Sequence, residues 1–545
     1  MLVSDFIMKV KTDILPAMPR TEPVAGIPRQ VAVIDIGARA IRLDIAEILP
    51  TGQMRLLDSL QQAVSLGKDT FSEGTIDRSS IEECVSILKG FRQVMNEYGI
   101  VAPDQIRAVA TSSVREASNR DTFLDRIYIA TGISVDILED AEVEHLIHLA
   151  LHDLFESEPI LKQGNVLIAE VGGGTTHLIL IQDGYVTFSS AYKLGALRMI
   201  ETLEASQTPP DRLPAILDQH IQRTVNQMLE TVPITSIPSL IALTGDMETA
   251  MRRLIPGWKV DDTARLNMAR FTLASKLIST PPEKLMQKHH LPPQEAETAG
   301  QALFIYDRIA RAFSVSQLVI TTKSMRRGLL SMMTGSAQAT ARFAEQLTHS
   351  AVTLGRKYHF DEKHATHVAD LSLQLFRALQ LDHGLDARYE GLLCTAAILH
   401  DIGAFISNNS HHKHSMYLIL NSEIFGLTRS DNTLVALVSR YHRRALPSRS
   451  HPEYQALSRD SRLIVSKLAA ILRLADALDR SHLKSLRTLD CSRKGDQFII
   501  TAHDVEDVTL ERLALSEKGD LFEDIFGLQP ILRTAQTMKG MVFDG

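Results

Sequence analysis

The first 330 residues of the chain alternate short apolar strands with glycine turns. From Val31 the chain runs through an apolar strand, a Gly turn, a second strand, a Pro-Thr-Gly turn and a third strand. The same order recurs from Asn165, where the strand NVLIAEV is followed by a Gly turn, the strand HLILIQ, an Asp-Gly turn and the strand YVTFSSAY. This internal repeat predicts two similar α/β lobes whose paired turns face a shared cleft.

Beyond about Leu330 the apolar positions follow a helical period. Residues 337–482 are dominated by helical patterns such as HVADLSLQLFRALQLD, and histidine is plentiful there. From about Ser485 short strand and helix patterns return. The predicted domains are a flexible leader over residues 1–29, a first lobe over 30–155, a second lobe over 156–335, a helical domain over 336–484 and a small α/β domain over 485–545.

Composition narrows the class of partner. Hydrophobic residues make up 44% of the 545 residues and the net charge is −7, so no overall basic field favours nucleic acid, and a polyanion would need a local basic cleft. The three cysteines lie far apart, which favours a reducing compartment, and no run of about 18 apolar residues occurs. We therefore expect a cytoplasmic protein with no membrane and no specific nucleic acid among its partners. A homodimer is expected as well.

Five stretches carry a family resemblance. VAVIDIGARAIRL, AVATSSVREASNRDTFLDRI, TGISVDILEDAEVEHL, EVGGGTTHLIL and YKLGALRM occur in the order and spacing of the exopolyphosphatase/guanosine pentaphosphate phosphatase family (Ppx/GppA). The helical part resembles the HD-type domain of the longer members, and the tail resembles their small fourth domain. The resemblance implies duplicated α/β lobes of the actin-like fold (the sugar kinase, heat-shock protein and actin superfamily), then an all-α HD-type domain and a small α/β tail. The implied reaction is hydrolysis of a terminal phosphoanhydride with Mg²⁺.

The glycine turns depart from the family pattern. The first turn reads DIGARA, so Ala38, Arg39 and Ala40 stand where the family has hydroxyl and amide side chains. In the second turn Glu170 replaces an aspartate and His177 replaces a glutamate. These replacements change the side chains that would hold a metal and a phosphate chain.

The column of the family's proposed catalytic base is also altered. Aligning HLI with the family's Arg-Leu-Ile places Val143 in that column, with Glu142 beside it. A valine cannot orient a water molecule, so Glu142 is the substitute that the sequence offers. Adjacent helical residues nevertheless point about 100° apart.

Phosphoanhydride hydrolysis requires neutralised phosphate oxygens, a held metal and a water placed in line. The glycine turn offers backbone N–H groups, and acids before the turns offer oxygen ligands for Mg²⁺. The candidate catalytic residues are Glu142, Asp35 and Glu170. The candidate phosphate-binding residues are Gly37, Arg39, Arg115, Gly172, Gly173, Gly174 and Thr175.

The helical domain carries a second constellation. A histidine, a His-Asp pair and a distant aspartate on successive helices are the ligand order of HD-type metal phosphohydrolases. Mixed imidazole and carboxylate ligands suit Mn²⁺, Fe²⁺, Co²⁺ or Zn²⁺. The alternative is that these histidines are hydrogen-bonded structural residues. The first-choice ligands are His364, His400, Asp401 and Asp476, and the second-choice ligands are His414 and His442.

The predicted function is a phosphohydrolase that removes terminal phosphate from inorganic polyphosphate or guanosine pentaphosphate at the cleft between the lobes. Two alternatives remain open. One is an HD-type metal-dependent nucleotide phosphohydrolase with regulatory front lobes. The other is a catalytically degenerate sensor of polyphosphate or of a guanosine polyphosphate.

Overall fold

The computed structural model describes residues 28–157, 164–205, 213–234, 236, 238–244, 250, 251, 253, 263–268, 271, 280–315, 317–334, 337–386, 388–503, 505 and 507–535. The predicted leader therefore lies almost entirely outside the described residues. The chain divides into two compact units, one ending at Ser336 and the other starting at Ala337. Both units have hydrophobic cores of their own.

The first sheet of the N-terminal unit has five strands in the order β3-β2-β1-β4-β5. Strand β1 pairs antiparallel with β2 and parallel with β4. The apolar run of β1 is buried from residue 31 to residue 36, as expected for a central strand covered on both faces. The strands are β1 (Arg29–Ile36), β2 (Ala40–Ile48), β3 (Met54–Ala63), β4 (Ile106–Ala110) and β5 (Val135–Ile137).

The second sheet repeats this topology. Its order is β10-β11-β9-β6-β7-β8, so the series β8-β7-β6-β9-β11 matches β3-β2-β1-β4-β5 strand by strand. The parallel and antiparallel pairings match as well. The strands are β6 (Asn165–Val171), β7 (Thr176–Gln182), β8 (Tyr185–Tyr192), β9 (Ser239–Leu243), β10 (Ala264–Asn267) and β11 (Gln317–Thr321). The predicted duplication of two α/β lobes is confirmed.

Two helices cross between the lobes of this unit. Helix α5 packs against β7 and β8 of the second sheet, whereas α11 packs against β1 of the first. The predicted division at residue 155 assigned α5 to the first lobe and α11 to the second. The helices of the unit are α1 (Leu66–Glu73), α2 (Arg78–Glu97), α3 (Ser112–Arg115), α4 (Arg120–Thr131), α5 (Asp140–Ala150), α6 (His152–Ser157), α7 (Ala196–Ala205), α8 (Leu213–Thr231), α9 (Pro282–His289), α10 (Pro293–Ala312) and α11 (Met325–Met333).

The C-terminal unit is helical up to residue 478 and ends in a three-stranded sheet, ordered β12-β13-β14. Its helices are α12 (Ala337–Lys357), α13 (Glu362–Ala378), α14 (Gln380–His383), α15 (Tyr389–Leu399), α16 (His411–Leu420), α17 (Arg429–Arg440), α18 (Pro452–Gln455), α19 (Arg459–Leu478), α20 (Thr509–Lys518) and α21 (Asp520–Phe526), and its strands are β12 (Leu489–Lys494), β13 (Gln497–His503) and β14 (Gln529–Ala535). Among the described residues, no helix is long and apolar enough to span a bilayer.

The α/β tail shares the core of the helical part. Phe498 and Phe522 belong to the same buried apolar cluster as Leu468 of α19. The guanidinium of Arg473, which is 2% exposed, donates to the carbonyl oxygen of Lys518 at 3.0 Å and pairs with Asp520 at 2.6 Å. The predicted boundary at residue 485 therefore does not separate two cores.

Candidate functional site

The two glycine turns meet at one cleft in the N-terminal unit. A Cβ atom on Gly173 would lie 3.0 Å from the Cβ of Ala38, so the second turn touches the first. The predicted residues that line the cleft are Asp35, Gly37, Arg115, Glu170, Gly172, Gly173, Gly174 and Thr175. Further lining residues, which were not among the predicted site residues, are Arg42, Thr111, Ser112, Asp140, His177 and Ser324.

The glycine loop of the second turn is fixed by its own backbone and by α7. The N–H of Gly172 donates to the carbonyl oxygen of Thr175 at 2.8 Å, and the N–H of Ala196 donates to the carbonyl oxygen of Gly172 at 3.0 Å. A Cβ atom on Gly174 would overlap the hydroxyl of Ser112. A side chain at this position would have to displace Ser112 or Phe71, whereas a backbone without side chains can approach a ligand closely.

Each acid before a glycine turn faces a basic side chain on the next strand. Asp35 is opposite Arg42 in the antiparallel register, and Glu170 is opposite His177. The Oδ2 atom of Asp35 lies 3.7 Å from NH1 of Arg42 and 3.5 Å from NH1 of Arg326. The repeat thus includes the partners of the acids. Strand alternation around each turn was the signal in the sequence from which Arg42 could have been identified.

Arg115 lines the cleft and is held by the start of α5. Its NH1 donates to the carbonyl oxygen of Leu138 and its NH2 pairs with Oδ1 of Asp140, both at 2.5 Å. The side chain of Arg115 is 19% exposed and that of Asp140 is 42% exposed. A partly exposed guanidinium fixed in this way presents its remaining donors to the cleft.

His177 stands among carboxylates. Its Nδ1 lies 3.5 Å from Oε1 of the buried Glu144, and its Nε2 lies 4.0 Å from Oδ1 of Asp140. Burial lowers the pKa of His177, but the neighbouring carboxylate of Glu144, with the charges of Asp140 and Glu170, outweighs burial and raises it. The imidazole therefore takes up a positive charge more readily than an exposed histidine does.

Two predicted residues lie outside the lining of the cleft. The carboxylate of Glu142 accepts a hydrogen bond from the N–H of Glu139 at 2.9 Å and so caps the N-terminus of α5. The guanidinium of Arg39 points to α10, where it donates to the carbonyl oxygen of Gln294 at 2.5 Å and to the hydroxyl of Thr298. Their positions do not support the predicted roles of Glu142 as base and Arg39 as phosphate ligand.

In the C-terminal unit, histidines and aspartates from five helices and their ends lie close together. Three overlapping groups have ligand atoms within 4.8 Å of one another. They are His364, His400 and Asp401, then His400, His442 and Asp476, then Asp401, His411 and His442. The structure thus brings together all four first-choice ligands. The third group contains His411, which was not predicted. The predicted His414, three residues later, belongs to none of these groups among the described residues.

Each histidine of this cluster makes a hydrogen bond through its Nδ1 atom, on the side of the ring away from the other ligands. His364 donates to Oδ2 of Asp479 at 2.7 Å. His400 and His442 donate to the carbonyl oxygens three residues earlier, both at 2.6 Å, and His411 does so at 3.2 Å. A neutral imidazole carries one N–H. This arrangement therefore turns the Nε2 lone pairs towards the centre, as supporting hydrogen bonds do in metal sites.

The inward-facing atoms are acceptors placed close together. Nε2 of His411 lies 3.0 Å from Oδ1 of Asp401 and 3.4 Å from Nε2 of His442. The buried Nε2 atoms of His364 and His400 have no hydrogen-bond partner among the described residues. Acceptors at such distances need a shared proton or a metal ion between them. The donor set could hold a transition metal.

The charge state of the cluster also favours a cation. Burial, together with the neighbouring His400, lowers the pKa of His442 to about 3, so this imidazole is neutral, the form that binds metals. Burial lowers the pKa of His364, but the nearby carboxylates of Asp476 and Asp479 raise it overall to about 9. A metal that binds His364 would displace that proton.

The chain matches models of one family over most of its length. A model described as the Ppx/GppA phosphatase family matches residues 45–337, and one described as Ppx/GppA phosphatase, domain III, matches residues 348–521. The guanosine-5'-triphosphate,3'-diphosphate pyrophosphatase of Pseudoalteromonas atlantica is 23% identical over 459 residues, which are 82% of this chain and 85% of the relative. The protein of that name from Aliivibrio fischeri strain MJ11 is 21% identical over 481 residues, 86% of this chain and 91% of the relative.

Solved structures are similar to the chain over about half its length. An exopolyphosphatase from Cytophaga hutchinsonii has a TM-score of 0.49 and 21% identity, and the match covers 56% of this chain and 98% of that one. The Ppx/GppA family member from Aquifex aeolicus has a TM-score of 0.45 and 19% identity, with 56% of this chain and 97% of that one covered.

Proposed function

The chain belongs to the Ppx/GppA phosphatase family, and from that membership we propose that it hydrolyses the terminal phosphoanhydride of guanosine pentaphosphate or inorganic polyphosphate in the cleft between its lobes. The observation that carries the proposal is the meeting of the two glycine turns with Arg115 at one cleft. Such turns and a guanidinium bind phosphate oxygens. The names of the relatives from Pseudoalteromonas and Aliivibrio favour the guanosine substrate.

Different groups that line the cleft bind the phosphate and orient the attacking water. Backbone N–H groups of the glycine loop and the hydroxyls of Ser112 and Thr175 bind phosphate oxygens, and Arg115 adds a positive charge. Val143 lines the cleft and has no group that accepts a proton. Of the lining carboxylates, Glu170 is half-buried near the end of β6, two residues before the first glycine of the loop. We assign to it the orientation of the attacking water.

Phosphate release by the full chain tests this function. The substrates are guanosine pentaphosphate and medium-length polyphosphate, each with and without divalent cation. Glu170→Gln should lose most of the activity, whereas His400→Ala should retain it, because His400 belongs to the other unit. An inactive wild-type chain, or a Glu170→Gln variant with full activity, would contradict the proposal.

The histidine cluster supports a second candidate function, a metal-dependent phosphohydrolase centre. The observation in its favour is the convergence of held imidazoles with Asp401 and Asp476. His364, His400, Asp401 and Asp476 would hold one Mn²⁺, Fe²⁺ or Zn²⁺ ion, and His411 and His442 would add ligands for a second. A metal of this kind supplies Lewis acidity and lowers the pKa of a bound water.

Elemental analysis of the purified full chain tests for this centre. The wild type should carry a transition metal after incubation with Mn²⁺ or Zn²⁺, and Asp401→Asn should carry much less, with no change in far-ultraviolet circular dichroism. Activity lost in Asp401→Asn but kept in Glu170→Gln would move the reaction from the cleft to this centre. A wild type that stays metal-free would leave the histidines structural.

A further inference from the structure

Asp35, expected from the sequence to hold Mg²⁺, is surrounded by the chain's own cations. Its Oδ2 atom lies between NH1 of Arg42 at 3.7 Å and NH1 of Arg326 at 3.5 Å. The Nε of Arg326 also donates to Oδ2 of Asp44 at 3.0 Å. The four side chains are between 6% and 12% exposed. Two guanidinium groups and two carboxylates thus form a nearly dry cluster with a net charge of zero.

A divalent cation does not fit this cluster. Mg²⁺ requires a near-octahedral set of oxygens at about 2.1 Å, but the first turn supplies Ala38, Arg39 and Ala40 instead of side-chain oxygens. An ion on Asp35 would also lie beside two guanidinium groups, whose repulsion is strong where little water screens it. Removing them would leave buried charges unpaired, which is costly.

The second turn is compensated in the same manner. Glu170 lies opposite His177, whose positive form is favoured by the surrounding carboxylates. Asp140 is paired with Arg115 at 2.5 Å. The lining acids of both repeats therefore have basic partners from the chain, so their negative charge is balanced by side chains of the protein itself.

Resting on the proposed function, we infer that the cleft holds its phosphate chain without a divalent cation at Asp35, because Arg42 and Arg326 occupy the place of the metal. Arg42 lines the cleft and neutralises phosphate oxygens together with Arg115. Asp35 and Asp44 act as counter-ions that hold the guanidinium groups in position and moderate their charge. The ligand would then be a phosphoanhydride chain that binds free of Mg²⁺.

Calorimetry with inorganic tripolyphosphate tests the inference independently of turnover. The wild-type chain should bind the probe in EDTA at least as tightly as in Mg²⁺, since free tripolyphosphate is more negative than its Mg²⁺ complex. Arg115→Gln should lose this binding. Binding only in the presence of Mg²⁺, or binding that persists unchanged in Arg115→Gln, would overturn the inference.

A substitution at Asp35 should change the affinity for tripolyphosphate in opposite directions, depending on whether Asp35 is a counter-ion or a metal ligand. If Asp35 is a counter-ion, Asp35→Asn frees positive charge and tightens tripolyphosphate binding about tenfold; if it holds a metal, the same change abolishes binding. Asp44→Asn is the matched variant, because Asp44 pairs with Arg326 but does not line the cleft. It should also tighten binding, and weaker binding in a folded Asp44→Asn chain would count against the inference.

Failure of the inference and failure of the proposed function are distinguishable. A chain that binds and hydrolyses phosphate chains only with Mg²⁺ keeps the function and loses the inference. A chain that binds no tripolyphosphate under either condition and releases no phosphate loses both.

Discussion

The ammonium group of Lys518 contacts Oδ2 of Asp476, so a side chain from the α/β tail reaches into the histidine cluster. The other carboxylate oxygen, Oδ1, faces Nε2 of His364 at 3.6 Å and Nε2 of His400 at 3.9 Å. One half of the carboxylate is thus neutralised by a cation of the chain, and the other half is presented to the proposed metal.

Removing this ammonium should strengthen metal binding. Lys518→Met leaves the second oxygen of Asp476 without its cation and removes a positive charge next to the proposed ion, so the affinity for Zn²⁺ should rise about tenfold. Competition with a chromophoric chelator measures the change. Lys494→Met, at an exposed lysine of the same tail, is the control and should leave the affinity as it is. Weaker binding in Lys518→Met would show that the lysine supports the ligand instead of competing with the metal.

Two histidines of one helix should differ sharply. His411 has Nε2 3.0 Å from Oδ1 of Asp401, whereas His414, three residues later, joins no group of convergent ligands among the described residues. His411→Ala should lower the amount or affinity of bound metal by about tenfold, and His414→Ala should not. Elemental analysis after dialysis gives the answer. Equal losses in the two variants would contradict the assignment of His411.

Two glutamates near the cleft should differ in the same way. Glu170→Gln should lower kcat for phosphate release by about 10²- to 10³-fold, since a neutral amide cannot take a proton from water. Glu142→Gln should leave kcat within about twofold, because a glutamine keeps the cap of α5. Initial rates at saturating substrate measure both, and circular dichroism checks the fold. A large loss in Glu142→Gln would restore that residue as the base.

The pair of His177 and Glu144 should make stability depend on pH. The pKa of His177 is raised in the folded state, so its contribution to stability is fully present below the unfolded pKa of about 6.5 and is lost as pH rises through the folded value. The free energy of unfolding of the N-terminal unit, measured from its own transition in urea, should fall in the wild type as pH rises from about 6 to about 9. Glu144→Gln removes the main partner of His177 and should flatten that dependence. An equally steep dependence in the variant would assign it to other groups.

The sequence predicted the features of the cleft that are local. Each repeat consists of apolar strands that alternate with glycine turns, and this order is visible in the sequence. The sheets and the meeting of the turns could therefore be predicted. The direction of a side chain near a turn depends on register. Arg39, one residue before β2, points away to α10, whereas Arg42 within it faces Asp35.

The remaining misses came from contacts between distant segments. Helices α5 and α11 are far apart in sequence, and nothing in their own patterns shows that each packs on the sheet of the other lobe. The contact of Lys518 with Asp476 likewise joins residues from the tail and from α19. In the histidine cluster the prediction named His414, but it is His411, three residues earlier on the same helix, that lies beside Asp401.

The crossing of α5 and α11 has a mechanical consequence. A Cβ atom on Gly328 would overlap the carbonyl oxygen of Leu146, so the two helices touch backbone to backbone. Rods in such contact cannot slide past each other without losing their fit, but they can turn about the point of contact. A methyl group at position 328 would therefore have to push the two helices apart. Since α5 packs on the second sheet and α11 on the first, the cost of that separation would fall on the contact between the lobes, at a position that does not line the cleft.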